Sequence, residues 1–241
     1  RFAPLLHIAQ GLTPTEVVNA VDDAVTEGKA QSGIEAGLIL CTLRHYSEEQ
    51  SMETVQLVDA FKGTNVIGFD IAADEAGFPI TNHTRAFAFA RSKGIPCTAH
   101  AGEAKGAESV WETLHEFRPA RIGHGVRSFE DPALVAFIKR NNIHLEVCPT
   151  SNIQTNVFDR IENHVVDKIY RSGVSMSINT DARTITDTTL TKEYGVLEKI
   201  FNWNKENFLH CNLEAIRHAF IEEEKKEALR TRLIAGFNDV T

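Results

Sequence analysis

Residues 95–103 read IPCTAHAGE. A short apolar run ends at His100, and two of the smallest residues, Ala101 and Gly102, separate it from the carboxylate of Glu103. In a straight strand residues three apart point to opposite faces, so His100 and Glu103 would not share one. Ala101 and Gly102 let the backbone leave the strand at once, and the turn brings the carboxylate back over the strand end. An ordinary buried strand would be better served by larger apolar side chains. The stretch is built for chemistry, and partners are to be sought at other strand ends.

Five further runs have the same construction: IEAGLILCTL from Ile34, NVIGFDIA from Asn65, RIGHGV from Arg121, IHLEVCP from Ile143 and VSMSINTD from Val174. Most are rich in β-branched residues and bounded by Gly, Pro, Asn or Asp, so they read as strands. Amphipathic stretches lie between them. TPTEVVNAVDDAVTEG places Thr13 as N-cap and Pro14 in the first turn, and stops at Gly28. EEQSMETVQLVDAFKG puts Val55, Leu57, Val58 and Phe61 on one face and ends at Gly63. NHTRAFAFARSKG, AESVWETLHEF, DPALVAFIKRNN and NHVVDKIYRSG follow in the same way.

Strand and helix alternating at short intervals imply a parallel sheet with right-handed crossovers, either doubly wound and open or closed as a barrel. A GxGxxG fingerprint is absent, which weakens the dinucleotide-binding version of the open sheet. His45, Asp70, His100, His124, Ser151 with Asn152, and Asp181 all read as lying at or just past the end of a strand. In a barrel those ends converge on one mouth; in an open sheet they would be spread along a line. The expected fold is therefore α/β, a (β/α)8 TIM-type barrel. Six strands and the stub RFAP at residues 1–4 fall short of eight. The expectation is a barrel truncated at the N-terminus, lacking its first strand and most of the second, with residues 1–241 as a single domain forming its C-terminal three quarters.

The net charge of −8 argues against a partner that is a nucleic acid or an anionic membrane surface. No apolar run approaches the ~20 residues needed to span a bilayer. Cys41, Cys97, Cys148 and Cys211 form no CxxC pair and read as buried thiols in a reducing, cytoplasmic setting.

Imidazole and carboxylate together suit a borderline cation such as zinc, which makes His100 and Asp181 candidate ligands. Two ligands are fewer than a catalytic zinc requires. Glu103, partly desolvated at the mouth, could hold a proton for general acid catalysis. His124, between Gly123 and Gly125, is placed to meet a substrate, for proton transfer or to orient a hydroxide. Each residue also has a plainer reading. Asp181 and Glu103 could cap helices, Asp70 could buttress a loop, and a lone histidine is more often structural.

TAHAGE, RIGHGV, LEVCPTSN and SINTDA, in this order, resemble the adenosine deaminase family of metal-dependent (β/α)8 hydrolases. VIGFDIAADEAGFP, RFAP and the charged segment IEEEKKEALRTRL fit as well, so the resemblance covers essentially the whole chain. It implies a metal-dependent deaminase domain with a Zn2+ cofactor. His100 would be a zinc ligand and Glu103 the acid that protonates N1 of the purine. His124 would position and help activate the attacking hydroxide. Asp181 would be both a zinc ligand and that hydroxide's partner, and Asp70 would steady the site. Water would attack C6 and ammonia would leave, turning adenosine or deoxyadenosine into the inosine-type product in purine salvage.

The chain departs from the family pattern in three places. The HxH motif of the first strand, with the nearby acid associated with the ribose, is absent from these residues. Ala182 stands where many members carry a second Asp against N7, and Ala73 where many have a Gly whose N–H faces N3. These departures motivate two alternatives: another aminopurine, such as adenine or a modified nucleoside, as substrate, or a fragment with a binding or structural role only. They also lead to the expectation that a separate N-terminal segment, or self-association, completes the barrel.

Overall fold

Thr13 caps the first long helix through a reciprocal pair. Its hydroxyl accepts from the Glu16 backbone N–H, and the Glu16 carboxylate accepts from the N–H of Thr13. In the computed structural model, which describes residues 1–9 and 11–239, this helix is α1 (Pro14–Ser32). There follow in chain order β1 (Leu38–Leu43), α2 (Glu48–Ala60), β2 (Val66–Ala72), α3 (Thr84–Ser92), β3 (Thr98–Ala101), α4 (Ala107–Glu116) and β4 (Arg121–His124). Then come α5 (Pro132–Arg140), β5 (His144–Val147), α6 (Pro149–Gln154), α7 (Val166–Ser172) and β6 (Met176–Ile178). The chain finishes with α8 (Arg183–Thr186), α9 (Leu190–Phe201), α10 (Lys205–Arg217) and α11 (Glu223–Asp239).

Each of the six expected runs contains a strand. The first helix is longer than expected, because α1 runs through Gly28 and ends at Gly33, whose left-handed φ of 67° lets its N–H reach Lys29 O. A single interior Gly costs a helix only about 1 kcal/mol, whereas the left-handed cap satisfies an orphan carbonyl. RFAP does not form a strand of its own. Phe2 makes one parallel bridge with Leu40, its N–H donating to Ile39 O and its carbonyl accepting from Cys41 N–H. Asp70 also departs from expectation. It lies inside β2, opposite Cys41 and fully buried, rather than at the strand end.

The chain divides into two compact units, Arg1–His100 with Thr113–Pro119, and Ala101–Glu112 with Ala120–Thr241. In the first, β1 and β2 pair in parallel, and Phe69 of β2 bridges Cys97 ahead of β3. Both strands are buried along nearly their whole length, which explains their continuous apolar sequence. Val55, Leu57 and Val58 of α2, with Phe61 at its C-cap, pack into this core as their spacing predicts. Phe87 of α3 stacks on Phe117 at 3.8 Å and meets Phe69 at 4.8 Å. In the second unit β4 pairs with β5 and β5 with β6, all parallel, placing Gly123, Glu146 and Ser177 side by side. Ile122, Leu145 and Met176 are buried in these three strands, as are Leu134 and Ile138 of α5 and Ile169 of α7.

All four cysteines are buried, and none is in a disulfide among the described residues. Among the described residues no helix is long and apolar enough to cross a membrane.

Candidate active site

The turn after β3 has the construction that its small residues suggest. Gly102 takes a φ of 71°, and a Cβ there would collide with Val110 Cγ2. The turn is held against the end of β4, with Gly125 N–H donating to Ala101 O at 3.1 Å and Arg127 N–H to Gly102 O at 3.0 Å. Arg127 adds a guanidinium bond to Ala104 O at 2.9 Å. Glu103 is thereby directed at His124, its Oε2 lying 3.3 Å from His124 Nε2. Its other oxygen accepts from Thr155 Oγ1 at 3.0 Å.

His124 closes β4 with a φ of 60° and Gly125 follows at 67°. A left-handed histidine is uncommon and survives only where its surroundings fix it, a condition typical of functional positions. Asp181 shares the feature, with a φ of 55°. Its Oδ2 lies 3.9 Å from His124 Nε2 and accepts from Ser151 Oγ at 2.8 Å. Within the second unit the structure therefore brings Glu103, His124 and Asp181 together, one imidazole between two carboxylates. Ser151 and Asn152, both on α6 just past β5, join them. The amide nitrogen of Asn152 lies 3.1 Å from His124 Nδ1, and its oxygen lies 3.1 Å from His164 Nε2.

In the first unit His100 rests on Asp70. Its Nδ1 lies 3.2 Å from Asp70 Oδ1, 3.1 Å from Oδ2 and 3.0 Å from Ile71 O. Burial alone would raise the Asp70 pKa, but the adjoining His100 ring and the Arg1 guanidinium outweigh it and hold the carboxyl far below its ordinary range. Arg44, itself buried, donates to the His100 carbonyl at 2.8 Å and to Phe78 O at 3.3 Å. Behind Arg44, His83 bonds the Arg44 carbonyl at 3.1 Å and Ser51 at 2.6 Å. His45 is exposed and packs its ring edge-on to Tyr46. Ala73, at a φ of 78°, is exposed past the end of β2, and Ala182 is the exposed cap of α8.

Each unit by itself offers donors of the kind a borderline metal ion takes. Because His100 gives its Nδ1–H to Asp70 and the Ile71 carbonyl, the ligating lone pair falls on Nε2, the arrangement that metal-binding histidines usually adopt. Asp181 offers a half-exposed carboxylate. Among the described residues, His124, Cys148 and Asp181 present nitrogen, sulfur and oxygen atoms all within 4.8 Å of one another, a donor set suited to a borderline cation.

Thr155, His164 and Arg44 escaped the sequence reading. Thr155 lies just beyond α6, His164 lies ahead of α7, and Arg44 precedes His45 past β1; none carries a motif. An Arg directly after a buried apolar run is the one signal available for Arg44.

The family model described as "Adenosine deaminase" matches residues 1–236. The adenosine deaminase of Clostridium acetobutylicum is 35% identical, over 97% of this chain and 70% of that protein. Among solved structures, an adenine deaminase from Arthrobacter aurescens superposes with a TM-score of 0.91 at 24% identity, over 98% of this chain and 72% of that one. A Burkholderia ambifaria amidohydrolase with bound Zn gives a TM-score of 0.91 at 22% identity, over 98% of this chain and 67% of that one. The fold is thus the parallel α/β fold of the TIM-barrel deaminases, of which this chain covers roughly 70%.

Proposed function

The chain belongs to the adenosine deaminase family of metal-dependent hydrolases, and from that premise we propose that it deaminates adenosine or deoxyadenosine hydrolytically in purine salvage. The observation that carries this reading is the position of His124 Nε2, 3.3 Å from Glu103 Oε2 and 3.9 Å from Asp181 Oδ2. Hydrolysis at C6 needs an acid for the ring nitrogen and groups that orient water, and these three side chains can supply both.

Glu103 is the acid. With one oxygen anchored by Thr155, the other delivers its proton to N1 of the purine, which makes C6 electron-poor. His124 orients the attacking water through Nε2. Asp181, steadied by Ser151, accepts a hydrogen bond from that water. Asp181 takes the proton that the water loses on adding to C6 and passes it to the exocyclic amine. The new C6 hydroxyl returns its proton to Glu103, and ammonia leaves from the tetrahedral C6. On the motif assignment His100 is a zinc ligand whose ring Asp70 orients, and Asp181 is a second. Zinc, when bound, lowers the pKa of water so that the nucleophile is available at neutral pH. The four buried thiols suit the reducing cytoplasm.

Ala73 and Ala182 favour a second reading of the substrate. The methyl of Ala182 offers no hydrogen bond to N7, and the β-carbon of Ala73 narrows the space beside N3. Adenine or a modified nucleoside is the alternative aminopurine. The test is ammonia release from adenosine, deoxyadenosine and adenine by the zinc-supplemented chain, with Glu103→Gln as control. Turnover of adenosine that disappears in the control supports the proposal, and a preference for adenine moves it to the free base. If no aminopurine is turned over and no zinc is retained after dialysis, only a binding or structural role remains.

A further inference from the structure

A chain of hydrogen bonds takes its direction from any donor that cannot change sides, and in the second unit a backbone N–H does this for the catalytic histidine. Val166 N–H donates to His164 Nδ1 at 2.9 Å. His164 is buried, and its pKa is pushed down to about 3, first by burial and then by the nearby charge of His124. The ring is therefore neutral and carries one proton. Since Nδ1 accepts, that proton is on Nε2, which donates to Asn152 Oδ1 at 3.1 Å. This orients the Asn152 amide, because the flipped arrangement would set an amide N–H against the His164 N–H. Asn152 Nδ2 then donates to His124 Nδ1 at 3.1 Å. All three side chains are buried, with relative exposures of 3%, 0% and 2% for His164, Asn152 and His124. With its Nδ1 accepting, a neutral His124 carries its hydrogen on Nε2, the nitrogen that faces Glu103 and Asp181.

We propose that His164 and Asn152 are positioning residues that lock His124 in the Nε2–H tautomer, so that it serves the reaction as a hydrogen-bond donor and not as a base. The tautomer follows from the geometry of the second unit alone; its consequence for turnover rests on the deaminase reading.

The test is nitrogen NMR of the full chain labelled with 15N-histidine, with the His124 resonances assigned by their loss in His124→Gln. The expected spectrum shows a protonated Nε2 and a bare Nδ1. Asn152→Asp is nearly isosteric but accepts from both neighbours, so it draws the His124 proton to Nδ1. It should reverse the tautomer and lower kcat by roughly 10³–10⁴-fold, as a wrong tautomer does in other histidine-dependent hydrolases, with little change in KM. His164→Gln keeps a donor toward Asn152 and should keep the Nε2–H form, whereas His164→Leu should show both forms. That pair decides the matter if Asn152→Asp does not fold. A wild-type His124 protonated on Nδ1 overturns the proposal, as does a single Nε2–H form surviving both in folded Asn152→Asp and in His164→Leu. Expected tautomers without ammonia release from any aminopurine support the relay and sink the deaminase reading instead.

Discussion

The two ends of the β4–β5–β6 sheet both set buried histidines near carboxylates, but they use them in opposite ways. Toward the amino ends, Arg121 Nε lies 3.0 Å from Glu146 Oε1, and the guanidinium stacks over Phe220 at 3.7 Å. His144 has both ring nitrogens engaged, by Ser175 at 2.8 Å and Ser177 at 2.9 Å, and its ring stacks on His218 at 4.7 Å. Arg121 also donates to the His218 carbonyl at 3.1 Å. The segment after α10 therefore seals that end. At the carboxyl ends, Asn152 holds His124 by its Nδ1, while Nε2 faces two carboxylates across longer gaps. The backbone there is held in the left-handed region at His124 and Asp181. The same residue types stabilise the sheet where serines and an ion pair within the fold engage them, and serve chemistry where an imidazole nitrogen faces two carboxylates. This division follows the general rule for parallel α/β barrels, with catalysis at the carboxyl ends and stability at the amino ends.

The most severe way to break the comparison is Glu103→Gln. It keeps the shape and the Thr155 contact but removes the proton, so kcat for adenosine deamination should fall by about 10³-fold. The thermal midpoint should stay within a degree or two, since this end of the sheet adds little to stability. An equal loss of stability would erase the distinction between the ends.

Glu146→Gln is the mirror experiment at the amino ends. It leaves the Arg121 charge largely buried without its counter-ion, which costs about 3 kcal/mol of folding free energy. Denaturant unfolding should show that loss while kcat of the folded enzyme changes by less than about 2-fold. Ser151→Ala comes next in size. It removes the 2.8 Å hydrogen bond to Asp181 and should cost about 10-fold in kcat, with a small stability loss of about 1 kcal/mol.

The difference between the ends was only half visible in the sequence. His100, Glu103, His124 and Asp181 could be read because each breaks a strand-like run with a polar group beside Gly, Ala or Asn. Thr155 and His164 could not, since the tertiary fold carries them to the site from a helix end and a loop. Arg121, His144 and Glu146 were hidden for another reason. Inside RIGHGV and IHLEVCP they read as the polar half of an alternating strand, and nothing local says that both faces are buried. Asp70 shows the same blindness, as a carboxylate inside a strand that only its pairing with Cys41 and its contact with His100 explain. The helix stops were legible where a left-handed Gly follows, as at Gly173 after α7, and missed where an interior Gly came first, as at Gly28.

The smallest expected effect sharpens the comparison through pH. Burial, reinforced by the charge of His218, pushes the His144 pKa down to about 3. In the unfolded chain the same ring titrates near the ordinary value of about 6.5. As pH falls below that value the unfolded state takes up a proton that the folded state refuses, so stability is complete above it and drains away down to about pH 3. Between pH 6 and pH 5 this amounts to about 1 kcal/mol from His144. His164, pushed to about 3 as well, contributes a similar slope from the other end. His144→Gln keeps an amide between Ser175 and Ser177 but does not titrate, so it should remove about half of this combined acid slope in urea unfolding. The pH profile of kcat should not move, because the ring lies in the sealed network and takes no part in turnover. A kcat profile that shifted with this substitution would mean that the two ends of the sheet are coupled, and that stability and chemistry are less cleanly divided than the hydrogen bonds indicate.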